Sequence, residues 1–261
     1  MKCKEIIEQL NHRWPESYAL SFDNVGLLVG DREQEVHHIL VALDVTDDIL
    51  DQAIACGADM IVTHHPLLFS AIKKVTTDDF IGKRIVKMVR HGISYYAMHT
   101  NFDVMGMANL NALSLQLKDT DVLEVTYEDS DGTKEGIGRT GVLQQEMSLN
   151  DFGVFVKEQL GLEAVRVYGN LDTRISRVAI SSGSGRSMVK EAIRSGVQVL
   201  VTGDIDYHTG IDAVAQNLMI VDAGHYGTEM IFIEYMEHEL KQMLSDVEIT
   251  PAKIVQPFAL V

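Results

Sequence analysis

Four short motifs carry histidine and carboxylate at spacings that suit chemistry. Val62-Thr63-His64-His65 and His99-Thr100-Asn101-Phe102-Asp103 lie in the first half of the chain. Val201-Thr202-Gly203-Asp204 and His225-Tyr226-Gly227-Thr228-Glu229 lie in the second. Imidazole with carboxylate is the usual ligand set for catalytic zinc, iron, manganese or cobalt. Neighbouring side chains on a strand point to opposite faces, so His64 and His65 reach one site together only from just past a strand end. Pro66 supports that placement, because it disfavours further pairing in a central strand. Adjacent histidines can bind two separate metals. The His225–Glu229 spacing puts both side chains on one face of a helical turn, and a carboxylate with two oxygens can bridge two cations. Asp103, behind an apolar strand, is a natural carboxylate ligand, with helix capping as the competing reading. His99 is open between ligand, support for a ligand, and general acid/base. Together the motifs point to a metal-dependent enzyme.

Other candidates are weaker. Ser182, Gly183, Ser184 and Gly185 open a loop, running on through Arg186 to Ser187, between a strand and a helix. Such a loop can offer backbone N–H groups to phosphate, although a tight turn is the commoner explanation. His208 is ambiguous. Asp204 holds the position of His65 in an internal repeat and reads as part of a degenerate partner site. Lys83, Arg84, Lys87 and Arg90 decorate one amphipathic helix, read as a solvated face rather than a nucleic-acid site. His12, His37, His38, His91 and His238 are assigned no role.

The elements that must position these residues repeat. Val41 to His65 aligns with Ile180 to Asp204 without gaps. Each copy reads as strand, helix, strand, with Gly57 and Gly196 where the helices end. Parallel strands joined this way imply a right-handed crossover. The expected fold is α/β, with two pseudo-symmetric α/β halves built of βαβ units. The metal site is expected between the halves at strand ends, where open α/β sheets bind ligands. Residues 119–140 are polar, turn-rich and acidic, and read as the boundary. The halves are accordingly placed at residues 1–125, with the His-His and Asp ligands, and 126–261, with the His-x-x-x-Glu ligands. A helix is predicted from Ser148 to Leu160, capped by Ser148 or Asn150, and one helix from Thr228 to Leu244.

The 261 residues suffice for one large core or two modest ones. A formal charge of -16 disfavours non-specific nucleic-acid binding, which needs cations against phosphates. There is no membrane-spanning run and no signal-peptide core. Cys3 and Cys56 form neither a metal spacing nor a disulfide framework, which places the protein in a reducing cytoplasm.

The ordered set Asp23-Asn24-Val25-Gly26-Leu27, Thr63-His64-His65-Pro66, His99 to Asp103, Gly203-Asp204 and His225 to Glu229 resembles the Nif-three-like family, the GTP cyclohydrolase I type 2 homologs. The resemblance covers essentially the whole chain. It implies two divalent metal ions per subunit on His64, His65, Asp103, His225 and Glu229, with Glu229 bridging and His99 outside the ligand set. It also implies a ring-shaped homohexamer, a trimer of dimers. Some members carry an inserted middle domain. This chain is too short for one, and residues 119–140 would be its reduced form.

The expected function is therefore a dinuclear metal-dependent hydrolase resembling GTP cyclohydrolase I type 2, with a nucleotide-like small-molecule substrate. Its two cations are expected roughly 3.5–4 Å apart. His99 would move the proton and the Ser182 to Ser187 loop would hold phosphates. The alternatives are a metal-dependent phosphoesterase, or a non-enzymatic ring that binds metal and docks a partner.

Overall fold

A computed structural model describes residues 1–253 together with Gln256, Phe258 and Ala259. The chain begins with α1 (Cys3–Arg13), β1 (Gly26–Val29), β2 (His38–Ala42), α2 (Asp47–Cys56), β3 (Met60–Thr63), α3 (Phe80–Arg90), β4 (Ser94–Ala97) and the short α4 (Thr100–Phe102). A π-helical turn, Asp103–Met107, leads into α5 (Ala108–Ser114), β5 (Lys118–Glu128), β6 (Lys134–Ser148), α6 (Leu149–Gln159), β7 (Arg166–Tyr168) and β8 (Arg174–Ser184). Then come α7 (Val189–Ser195), β9 (Val199–Gly203), α8 (Tyr207–Ala215), β10 (Met219–Asp222), α9 (His225–Glu229), α10 (Ile231–Met243) and β11 (Glu248–Pro251).

These elements form two compact units. One holds Met1–Phe102 and the chain from Phe232 onward; the other holds Asp103–Ile231. The first unit has a five-stranded sheet in the order β1-β4-β3-β2-β11, parallel except for β1. The second has a six-stranded sheet, β5-β6-β8-β9-β10-β7, whose centre β8-β9-β10 is parallel.

The mixed α/β class follows from side-chain alternation. In the second unit Val178, Ile180, Val199 and Val201 pack with Leu149, Phe152 and Val156 of α6. The intervening Ala179 and Leu200 pack the opposite way, with Val189 and Ala192 of α7 and Ala213 of α8. A parallel sheet covered on both faces needs such continuous apolar strands. In the first unit Leu40, Ala42, Ile61, Tyr95 and Ala97 form one core with Ile49, Leu50 and Ala53 of α2 and Ile85 and Met88 of α3.

The internal repeat is present. β2 and β3 are parallel, as are β8 and β9. Gly57 and Gly196 end α2 and α7 with φ of 73° and 70°, the left-handed geometry that glycine supplies without a Cβ penalty. Ser148 caps α6 by accepting from the Asp151 N–H. The predicted helix from Thr228 to Leu244 is instead two, α9 and α10, meeting at Met230.

The boundary differs from the 1–125 and 126–261 division. Residues 119–140 belong to a hairpin of β5 and β6 within the second sheet. β5 is an edge strand with most residues exposed, so its polar composition resembles a loop. Its turn is closed by Asp129, whose side chain accepts from the Asp131 and Thr133 N–H groups. The chain from Phe232 returns to the first unit because β11 pairs in parallel with β2, from Glu248↔His38 to Pro251↔Val41.

Candidate metal centre

In the first unit, β3 ends at Thr63 and delivers His64 and His65 into a pinned turn. The Tyr95 hydroxyl donates to the His65 carbonyl at 2.8 Å and accepts from the Leu67 N–H at 2.9 Å. Thr63 Oγ1 also donates to the His65 carbonyl, at 2.8 Å. Burial pushes the Tyr95 phenol up to about 12, so it stays a donor at neutral pH.

Each histidine of this unit's cluster is oriented through Nδ1. His64 Nδ1 lies 2.9 Å from the Met98 carbonyl oxygen. His65 Nδ1 lies 3.0 Å from Asp44 Oδ1, and His99 Nδ1 2.9 Å from Asp23 Oδ1. A neutral ring whose Nδ1 faces an oxygen acceptor carries its proton there and its lone pair on Nε2. That is how metal-binding histidines are usually held. Ligand atoms of His64, His65 and His99 all lie within 4.8 Å of one another. Phe102 and Phe232 wall the fully buried His64 ring, with centroids at 6.3 and 5.4 Å.

Asp23 is a residue that spacing alone does not flag. Beyond His99, it accepts from the Thr100 N–H at 2.9 Å and from the Thr100 hydroxyl. Burial alone would raise its carboxyl. The hydrogen bonds from His99 and Thr100, with the charge of His99, outweigh burial and hold it at about 2.

In the second unit, α9 presents His225 and Glu229 on one face, with His225 Nε2 3.2 Å from Glu229 Oε2. Glu229 is buried. His225 Nδ1 lies 2.8 Å from Asp204 Oδ2. Asp204 therefore orients a histidine, a role its repeat position does not reveal. Both His–Asp pairs lie 21 residues apart, Asp44 with His65 and Asp204 with His225. In each, the acid follows one parallel strand and the histidine follows its neighbour, β2 and β3 or β9 and β10. An acid–histidine spacing of one strand–helix–strand length is the signal that could have found both acids. Asp222 anchors the same end of the sheet, accepting from the Gly224 N–H at 3.0 Å and the Ile205 N–H at 3.2 Å.

The stretch from Ser182, expected as a loop, is instead the end of β8 through Ser184 followed by the 3-10 turn Gly185–Met188, and it touches the ligand candidates of its own unit. Ser182 Oγ lies 3.3 Å from Asp103 Oδ1. Gly183 has φ of 67°, and a Cβ there would lie 2.5 Å from Glu229 Oε1 and 3.4 Å from His225 Nε2. The Gly183 N–H donates to Thr228 Oγ1 at 2.9 Å, so this amide is already engaged and not turned to a phosphate. Ser184 ends β8 opposite Gly203, and Gly185 packs against Thr202.

The remaining candidates separate from this chemistry. His208 sits in the first turn of α8, its N–H bound to the capping Asp206 and its ring edge-on to exposed Tyr207. Buried His38 bonds the Cys56 carbonyl and Thr250 Oγ1, a satisfied core histidine. On α3, Lys83 and Arg84 pair with Asp47, and Lys87 with Asp51. Lys83, Arg84 and Lys87 are thus compensated in place on a solvated face, while Arg90 stands exposed at the helix end. Among the described residues no helix is long and apolar enough to cross a membrane.

The ordered motifs and both sheets have a counterpart among known proteins. A family model described as Duf34/NIF3 (NGG1p interacting factor 3) matches residues 1–257. The chain belongs to the Duf34/NIF3 family. This Duf34/NIF3 chain is 36% identical over 258 residues to a Clostridium acetobutylicum protein named GTP cyclohydrolase 1 type 2 homolog, covering 98% of this chain and 96% of that one. A Bacillus subtilis protein of the same name is 27% identical over 347 aligned positions, covering 93% of each chain. That span exceeds 261 residues, so the Bacillus subtilis relative carries additional residues. A Bacillus cereus protein related to NIF3 has a solved structure with a TM-score of 0.94 at 27% identity, over 100% of this chain and 99% of that one. Reduced HcgD from Methanocaldococcus jannaschii gives 0.83 at 30% identity, over 96% and 97%.

The donors of the Duf34/NIF3 chain could hold a metal. Imidazole Nε2 lone pairs and carboxylates without thiolate suit zinc, iron, manganese or cobalt. Both cysteines are free thiols.

Proposed function

We propose that this Duf34/NIF3 chain is a dinuclear metal-dependent hydrolase acting on a nucleotide-like substrate. The observation that carries the reading is the shared orientation of four histidines. His64, His65, His99 and His225 each have Nδ1 against an oxygen acceptor and so direct Nε2 as donor or base. His64, His65, Asp103, His225 and Glu229 are the residues that would hold the ions. Zinc, iron, manganese and cobalt all fit. Two such cations supply Lewis-acid activation of water and of the substrate's electrophilic atom. The name shared by the relatives makes GTP the first substrate to test.

The chain's own proton machinery is His99 with Asp23. His99 Nε2 takes up or returns a proton, and the ionised Asp23 on Nδ1 fixes the tautomer and stabilises the imidazolium. The assembly belongs to the same proposal: a homohexamer, a trimer of dimers, in the cytoplasm.

Elemental analysis of protein purified without chelator should find two divalent metals per chain; fewer than one sinks the reading. Incubation with GTP and each metal should release formate. Phosphate release instead would make the chain a phosphoesterase. Release of neither, with metals retained and the oligomer collapsing on chelation, would make it a structural ring. A His99→Ala protein should keep its metals and lose turnover.

A further inference from the structure

Phe22 and Phe69 are large aromatic side chains left open beside the histidine cluster of the first unit. Phenyl side chains are normally among the first to be buried, yet Phe22 is 61% exposed and Phe69 52%. Their ring centroids lie 6.2 Å apart with planes inclined by 55°. Phe69 also meets the His99 ring edge-on, 6.3 Å between centroids and 77° between planes.

The pair is braced rather than hung on loose chain. Phe22 precedes Asp23, which is fastened to His99 and Thr100. Phe69 follows the pinned His64-His65 turn. The two segments are tied directly, because Asn24 Nδ2 donates to the Leu68 carbonyl.

The area is informative. With a phenyl side chain burying ~200 Å² when covered, the two open fractions sum to roughly 200 Å². That is the scale on which aromatic side chains stack single bases. It falls well short of the ~800 Å² per partner of a stable protein interface. Charge points the same way. Lys73 and Lys74, on the same exposed loop, have no carboxylate at ion-pair distance among the described residues, in contrast to Lys83, Arg84 and Lys87. Lys73 is four residues beyond Phe69, at most about 14 Å along the chain. The carboxylates of the same segment, Asp78 and Asp79, are engaged by the Thr76 hydroxyl and the Gly82 N–H instead, so two lysines without an ion pair stand within reach of the rings.

We infer that Phe22 and Phe69 form a stacking platform that receives the planar heteroaromatic ring of an anionic small molecule. The platform presents that ring to His99, with Lys73 and Lys74 facing the anionic tail. The identity of the reaction rests on the hydrolase reading above, but ring binding does not.

The test is equilibrium dialysis of the full chain, as purified, against guanosine, GTP and inorganic triphosphate. It uses wild type, Phe22→Ala, Phe69→Ala and Phe69→Trp, with mass followed by light scattering. Each alanine variant should weaken guanosine and GTP about tenfold and leave triphosphate unchanged. Phe69→Trp should bind as wild type or tighter. The inference is overturned if both alanine variants bind guanosine within about twofold of wild type. It is overturned equally if wild type binds neither guanosine nor GTP, or if the alanine variants change the oligomer mass. Phenylalanine-dependent ring binding by a protein that releases neither formate nor phosphate would keep the platform and discard the hydrolase. GTP hydrolysis with unchanged KM in both alanine variants would do the reverse.

Discussion

Replacing Asp23 by Asn tests the local electrostatics most directly. The Asp23 carboxylate is removed from solvent and serves three donors: His99 Nδ1–H, the Thr100 N–H and the Thr100 hydroxyl. Asparagine has one acceptor oxygen. If that oxygen keeps His99, its amide nitrogen opposes the Thr100 N–H, donor against donor. A buried donor left so costs about 1–3 kcal/mol. Linkage gives an independent figure. A carboxyl lowered from 3.8 to about 2 on folding contributes, at about 1.4 kcal/mol per pH unit, about 2 kcal/mol. Because the folded pKa is the lower one, this stability is fully present above pH ~4 and is lost as pH falls through ~2. Urea melts of wild type and Asp23→Asn should therefore differ by about 2 kcal/mol at pH 7 and by about 1 kcal/mol at pH 3. Near pH 7 the variant's Tm should fall by about 4–8 °C for a chain of this size. Other carboxylates titrate in the same range, but they cancel in the difference between the two proteins. A gap that is absent at pH 7, or undiminished at pH 3, refutes the assignment of Asp23 as an ionised anchor.

Two further substitutions address the ligand turns. Gly183→Ala would set a Cβ 2.5 Å from Glu229 Oε1 at a positive φ. It should destabilise by about 1–3 kcal/mol and lower metal content, read by thermal melts and elemental analysis; full metal content would show that Glu229 is no ligand. Tyr95→Phe removes the acceptor of the Leu67 N–H and one of two donors to the His65 carbonyl. Urea melts should show a loss of about 1–3 kcal/mol, and an unchanged midpoint would mean that the hydroxyl does not hold the turn.

Local signals were readable where one residue decides the outcome. Gly57 and Gly196 mark two helix ends because only a left-handed cap is wanted there, and of the two candidate caps, Ser148 and Asn150, Ser148 starts the helix. Continuous apolar runs identified β3 and β9 for the same kind of reason. The unit boundary was not readable, because it depends on pairing across the whole chain. The Thr250 hydroxyl reaches the His38 ring from 212 residues away. An edge strand such as β5, with Leu123 its only buried residue, exposes most of its length and resembles a loop until its partner is known. At the candidate site the histidines and acids were visible as motifs. Asp23, Asp44 and Asp204 carry no local mark as orienting groups, since their distances to the rings are set by tertiary topology rather than helical or strand periodicity.

The return of the chain from Phe232 onward has a consequence for biosynthesis. A ribosome delivers His64 and His65 about 190 residues before it delivers β11, a delay of roughly 10–40 s at ordinary translation speeds. Throughout that interval β2 lacks its outer neighbour, and for most of it the His64 ring lacks the aromatic wall of Phe232. The second unit, contiguous in sequence, is fully synthesised while the first still waits. His64 and His65 are thus made early yet acquire part of their surroundings only near the end of synthesis.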